Sequence, residues 1–202
     1  LHGEQSFVSH EPLTPTGSAT VEATLLGIYD QGSSAHMVTE FAVNDLETGR
    51  LLLTATSTIV IRGEGGFGGE RRPTTPWARP DTPAALQVNA LVRRDQPLLY
   101  RLSGDRNPLH SDPAFARRAG FDRPILHGMC TFGIASRLLI NELGGGDART
   151  ARAMSGRFSK PVIPGDTLTV KAWPTPEGAL FVVEDSVGDV VLDRGSFALD
   201  AG

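Results

Sequence analysis

Hydrophobic and polar positions divide the chain into two strand-rich stretches on either side of one long apolar segment. Residues 19–27, 36–43 and 51–61 are rich in Thr, Val, Ile and Leu. They are separated by Asp30-Gln31-Gly32-Ser33-Ser34 and by Asn44-Asp45-Leu46-Glu47-Thr48-Gly49. Branched runs bounded by turn residues predict an antiparallel meander with hairpin links. Residues 84–93 predict another strand and 96–102 a short helix, and Asp112-Pro113 reads as a helix start with Asp as N-cap. Residues 126–143 predict the one long helix: Met129, Phe132, Ile134, Ala135, Leu138, Leu139, Ile140 and Leu143 leave it apolar on nearly every side, the pattern of a buried helix. Gly144-Gly145-Gly146 ends it. Strands return at 153–158, 167–173, 180–184 and 190–199, and Leu168, Val170 and Ala172 alternate with Thr167, Thr169 and Lys171, as in a sheet with one buried face.

Two stretches look like copies. Phe7, Pro12-Leu13, Pro15, Gly17 and Thr20-Val21 parallel Phe158, Pro161-Val162, Pro164, Gly165 and Thr169-Val170. Each copy opens a strand meander, but only the second is preceded by the apolar helix. An antiparallel sheet wrapped on one long buried helix is a hot-dog fold, so the repeat predicts an α+β tandem, or double hot dog. The first hot dog is expected to be N-terminally incomplete, its first strand and central helix lying upstream. The expected division is 1–64 for the later part of the first hot dog, 65–83 for a Gly/Pro-rich linker and 84–202 for the second hot dog. Gly63-Glu64-Gly65-Gly66-Phe67-Gly68 has the spacing G-x-G-x-x-G, yet Glu70-Arg71-Arg72-Pro73 follows instead of a helix, which rules out a dinucleotide-binding reading. With Arg71 and Arg72 the loop is either an anion-binding surface or a flexible linker end.

Composition narrows the classes. Forty per cent hydrophobic and 21% charged residues make a globular chain of 202 residues, and a net charge of −4 argues against nucleic-acid or membrane-surface partners. The single cysteine, Cys130, has no internal disulfide partner, which fits a reducing compartment. No apolar run has membrane-spanning length, no secretory pattern opens the sequence, and Leu199-Asp200-Ala201-Gly202 is not a peroxisomal address. A bacterial cytoplasm is therefore expected rather than a peroxisome.

The chemistry is concentrated in Tyr100-Arg101-Leu102-Ser103-Gly104-Asp105-Arg106-Asn107-Pro108-Leu109-His110. A carboxylate, an amide and an imidazole lie within six residues, with Gly104 and Pro108 favouring a tight turn that aims them at one space. Acid–base catalysis needs such groups at short range. The same residues are also common turn and cap formers. His127, Cys130 and His110 lack a fourth ligand and any zinc-ribbon spacing, so no metal is expected.

The longer string, with Asp112-Pro113, Ala119-Gly120-Phe121, Pro124-Ile125-Leu126-His127-Gly128 and Arg157-Phe158-Ser159-Lys160-Pro161, resembles the MaoC-like, type-2 (R-specific) enoyl-CoA hydratases. Leu1-His2-Gly3-Glu4-Gln5 and Gly65-Gly66-Phe67-Gly68-Gly69 resemble the hydratase unit of the peroxisomal type-2 multifunctional enzyme. The resemblance implies a hydro-lyase that adds water to 2-trans-enoyl-CoA to give (3R)-3-hydroxyacyl-CoA, or runs in reverse, without a cofactor. It implies Asp105 and His110 as the proton-handling pair, either of which can take the water proton, Asn107 as an orienting group and Gly128 as the oxyanion donor. Acyl-CoA contacts are implied at His2, Gly3, Gln31, Asp105, Arg106, Asn107, Pro108, Leu109, His110, Gly128 and Phe158. The family commonly has lysine at the Gln31 position, and glutamine can hydrogen-bond a phosphate without neutralising it. A homodimer is expected. The alternatives are a dehydratase acting on acyl-carrier-protein thioesters and a non-catalytic acyl-CoA-binding module.

Overall fold

The computed structural model describes residues 1–200. Nine strands form one antiparallel sheet: β1 (His2–Ser9), β2 (Ala19–Asp30), β3 (Ser34–Asp45), β4 (Leu51–Arg62), β5 (Leu86–Leu91), β6 (Ala151–Phe158), β7 (Thr167–Thr175), β8 (Gly178–Glu184) and β9 (Val190–Leu199). Between β5 and β6 lie α1 (Gln96–Tyr100), α2 (Pro113–Arg118) and α3 (Gly128–Leu143). The spatial order is β2-β3-β4-β1-β6-β9-β8-β7-β5. The predicted repeat is therefore real in space. The half β2-β3-β4-β1 mirrors β7-β8-β9-β6, and the two halves join where β1 and β6 pair antiparallel, Glu4 opposite Arg157 and Val8 opposite Ala153.

The strand at the junction, β1, is the element that patterning did not single out. His-Gly-Glu-Gln-Ser-Phe-Val-Ser carries only two large apolar side chains. It is a strand because β4 and β6 satisfy its backbone from both sides. Phe7 points to the inner face, against Phe132 of α3, whereas Glu4 and Ser6 point to the outer one.

The second half-sheet curls over α3. Leu139, Leu168, Val170, Phe181, Val183 and Leu192 are fully buried around it, and each buried side chain of this size stabilises the fold by about 1.5–3 kcal/mol relative to exposure. The helix is not buried all round, however. Gly133, Arg137 and Asn141, spaced four apart, form an exposed stripe on the side away from that half-sheet. The inner face of the first half-sheet is likewise open: Val21, Leu25 and Ile28 are 62%, 55% and 51% exposed, and no helix among the described residues precedes α1.

The Gly/Pro-rich segment is neither a loose linker nor an open anion site. Its glycine loop encloses a carboxylate belonging to the chain itself. Asp30, 7% exposed, accepts hydrogen bonds from the N–H groups of Gly32, Gly66 and Gly68, each at 2.8 Å. Gly66 and Gly68 have φ of +77° and +79°, a conformation that turns successive N–H groups toward one anion. Beyond it, Arg72 pairs with Glu4 and donates to Thr58 Oγ1 at 2.9 Å, Trp77 Nε1–H donates to the Gly195 carbonyl at 3.1 Å, and Trp173 Nε1–H donates to the Thr82 carbonyl at 2.8 Å. The segment is pinned at intervals across the outer face of the sheet.

The Gly66 N–H, followed by that of Gly32, holds the Asp30 carboxyl below its ordinary value of 3.8. A depressed carboxyl stabilises the fold above its unfolded pKa, and that contribution is lost as pH falls through the folded value. Asp30→Asn is expected to lower the Tm at neutral pH and to speed proteolysis between residues 63 and 70. The Tm gap from the unsubstituted chain should close below about pH 3.8 in thermal denaturation followed across pH.

Candidate active site

The turn after α1 is built by local side-chain-to-backbone bonds. A 3-10 turn at Arg101–Ser103 closes at Gly104, whose φ is +118°. Asp105 Oδ1 then accepts from the Asn107 N–H at 3.1 Å, and Asn107 Oδ1 accepts from the Leu109 N–H at 3.0 Å, capping the 3-10 turn Pro108–His110. Asp112 caps α2 through the N–H groups of Ala114 and Phe115 at 2.7 and 3.2 Å. Leu109, Ala116 and Ile125 form a small buried cluster that anchors the turn. Asn107 Oδ1 is thus occupied by the cap, which leaves its amide Nδ2–H₂ as the group able to face a ligand.

His110 Nδ1 lies 2.8 Å from the Ile125 carbonyl. A carbonyl can only accept, so Nδ1 donates and Nε2 is the ring nitrogen left for a ligand. His127 packs face to face on His110, with centroids 3.8 Å apart and planes 27° apart, and its Nε2–H donates to the Asp105 carbonyl at 3.2 Å. Tyr100 lies on His127 at 4.7 Å. Burial, and then the neighbouring His110, holds the His127 imidazole below the ordinary histidine range, and burial pushes the Tyr100 hydroxyl up.

A nitrogen or carboxylate oxygen from each of Asp105, His110 and His127 falls in a group no more than 4.8 Å across. The trio does not have the geometry of a metal centre. Two stacked imidazoles aim their in-plane lone pairs side by side, whereas an ion bound at about 2.1 Å needs them to converge.

The helix α3 begins two residues later than the apolar pattern suggested, because the Leu126 N–H is taken by the Val162 carbonyl at 2.8 Å and His127 is extended, with ψ 136°. The His127 side chain gives no cap bond, so the helix presents its first N–H groups, starting with Gly128, to the space in front. A Cβ on Gly128 would sit 3.2 Å from the Phe158 ring, so the ring lies directly over the helix tip.

These elements surround one cavity of about 580 Å³, within the usual size for small-molecule sites. Of the residues for which the resemblance implied acyl-CoA contacts, His2, Gly3, Asp105, Asn107, Leu109, His110, Gly128 and Phe158 line it. Arg106 and Pro108 do not, and Gln31 lines a separate cleft with Glu4, His36 and Arg72 on the other face. His2 packs on Phe158 at 4.9 Å, and burial holds its imidazole below the ordinary range. The wall is completed by Phe121, Ile125 and Met129, with Arg62 and Lys160 as cations among the lining residues. Lys160 sits within a quoted motif, whereas Arg62 at a strand end carried no signal.

A family model described as MaoC like domain matches residues 73–191, and one described as MFE-2 hydratase 2 N-terminal domain matches 1–63. The chain belongs to the MaoC-like family. Among its relatives, "3-hydroxyacyl-thioester dehydratase Y" of Mycobacterium tuberculosis is 45% identical, over 100% of this chain and 73% of that protein. "Enoyl-CoA hydratase ChsH3" of the same organism is 43% identical, over 86% of this chain and 60% of that protein. The crystal structure of a MaoC-like dehydratase from Phytophthora capsici superposes with a TM-score of 0.94 at 34% identity, covering 100% of this chain and 72% of that one. This MaoC-like chain thus spans 60–73% of the length of the two mycobacterial relatives.

Cys130, on the first turn of α3, is packed in the core, and burial pushes its thiol up to about 11. An aromatic disulfide reagent at pH 8 is expected to leave the folded MaoC-like chain unlabelled and to modify its one thiol on denaturation.

Proposed function

We propose that this chain hydrates 2-trans-enoyl-CoA to (3R)-3-hydroxyacyl-CoA and catalyses the reverse dehydration. The observation that carries the reading is the Asp105 carboxylate beside the His110 imidazole on one wall of the cavity that the tip of α3 also opens into. Hydration adds water oxygen at Cβ and a proton at Cα, while negative charge grows on the thioester oxygen. A carboxylate and an imidazole whose Nδ1 is held by the Ile125 carbonyl, leaving Nε2 for the substrate, can between them remove the water proton and return one to Cα. Both act from one side of the substrate, which suits addition to a single face. Asn107 Nδ2–H₂ can hold the water.

The Gly128 N–H is the donor for the thioester oxygen. It lies at a helix N-terminus and needs no reorganisation, and the missing Cβ leaves room for the Phe158 ring that closes over it. Loss of one such donor typically raises a barrier by about 2.7–4 kcal/mol. Arg62 and Lys160 are suited to the phosphates of the carrier. The reaction moves protons without net oxidation, so it calls for no redox cofactor. We further expect a homodimer acting in a bacterial cytoplasm; no helix among the described residues is long and apolar enough to cross a membrane.

A second reading, dehydration of acyl-carrier-protein thioesters, is favoured by one observation. Gln31, the implied CoA contact, stands outside the catalytic cavity. The test is loss of enoyl-thioester absorbance with crotonyl-CoA, longer enoyl-CoAs and crotonyl-acyl carrier protein, with the product's chirality measured. Asp105→Asn and His110→Asn are each expected to lower kcat by roughly 10²–10⁴-fold with little change in KM. Activity surviving either substitution refutes the assignment, and turnover of the carrier-protein substrate alone selects the second reading.

A further inference from the structure

The hydration reading uses Asp105, Asn107, His110 and Gly128, and leaves His127 without a role. Yet His127 is among the most buried polar residues of the chain, at 1% exposure. Its Nδ1 has no hydrogen-bond partner among the described residues. An orphaned buried acceptor is costly, typically about 1–3 kcal/mol. Packing alone does not call for it, since a phenylalanine would fill the slot between Tyr100 and His110 with no polar atom to leave unpaired. What the imidazole supplies and a phenyl ring does not is the Nε2–H bonded to the Asp105 carbonyl.

We infer that His127 is a positioning residue of the hydration site. It ties the carboxylate-bearing turn to the start of α3. Three connections converge on it: the Nε2–H bond to the backbone of Asp105, the 3.8 Å stack on His110, and the peptide link to Gly128. The proton-handling pair and the oxyanion donor come from segments about 20 residues apart, and His127 is the side chain that touches both members of the pair while its own backbone precedes the donor. Its low basicity serves this role. A neutral imidazole keeps one N–H for the Asp105 carbonyl and puts no positive charge against the His110 ring. Besides this tie, the turn is held near the helix by the His110 bond to the Ile125 carbonyl and by the cluster of Leu109, Ala116 and Ile125.

The inference rests on the hydration reading, and two readouts separate them. His127→Phe keeps a flat ring in the stack and removes the donor; His127→Gln keeps an N–H donor and removes the ring. In His127→Phe, amide hydrogen exchange of residues 105–110 is expected to accelerate at least tenfold while the strands of the sheet keep their protection. Its kcat should fall on the order of 10²-fold, the scale of an ångström misplacement, with KM changed by less than about threefold. His127→Gln should recover part of the kcat. Unchanged exchange across 105–110 in His127→Phe overturns the inference, whatever the activity. So does a kcat equal to that of the unsubstituted chain. Should His127→Phe fail to fold, the exchange and kcat of His127→Gln decide: protection retained with kcat within tenfold supports the tie, and both lost refutes it. An unsubstituted chain that turns over no enoyl thioester would sink the hydration reading and leave the exchange test standing.

Discussion

The antiparallel ladder between β1 and β6 is the constraint on which the molecule depends. It turns two half-sheets into one, and it is made by a strand with little hydrophobic claim to be one. A backbone flanked on both sides has every N–H and C=O satisfied, so β1 tolerates the polar side chains that a half-exposed strand would not hold in register. The polarity then has uses. Glu4 projects outward and anchors Arg72 of the Gly/Pro-rich segment, while His2 and Gly3 line the cavity at the tip of α3. The first half-sheet thereby contributes a wall to a cavity whose Asp105, His110 and Gly128 all belong to the second half.

A second theme is how much of the local geometry is set by carboxylates and amides bonding their own backbone. Asp30, Asp45, Asp105, Asn107, Asp112 and Asp147 each accept from N–H groups within three residues. Most of these bonds only close turns. At Asp30 the ring of donors extends across 38 residues to Gly68 and fastens the glycine loop to the end of β2. At Asp105 the same device has a chemical consequence. One carboxylate oxygen is engaged with Asn107, and the turn so formed points the group toward His110. The site is assembled from ordinary turn chemistry placed against the tip of a buried helix.

Both α3 and the first half-sheet keep open surfaces in this chain. The exposed stripe through Gly133, Arg137 and Asn141 lies on the side of the helix that no strand covers, and the apolar inner face of β2 and β3 has no helix upon it. Read from composition alone, α3 is a helix buried on every side. In the folded chain the second half-sheet covers one side of it, and Gly133, Arg137 and Asn141 on the other side stay exposed.

Strand and helix identities, the internal repeat and the Asp105–His110 turn were legible in the sequence, because each rests on short-range rules. Branched alternation makes strands, apolar crowding makes a buried helix, and Gly, Asp, Asn and Pro make a turn whose residues are close in sequence and hence close in space. The role of β1 was not legible, since its strand character comes from neighbours 50 and 150 residues away. Nor was the fate of the glycine loop, whose anion is Asp30 in another hairpin, nor the separation of Gln31 from the cavity that Asp105 and His110 line. His127 shows the division most plainly. Its sequence neighbours say only that it precedes a helix, and contact with His110, Tyr100 and the Asp105 carbonyl exists only once the chain has folded. Local chemistry determined which groups this protein possesses; long-range pairing, which no local pattern encodes, decided which of them meet.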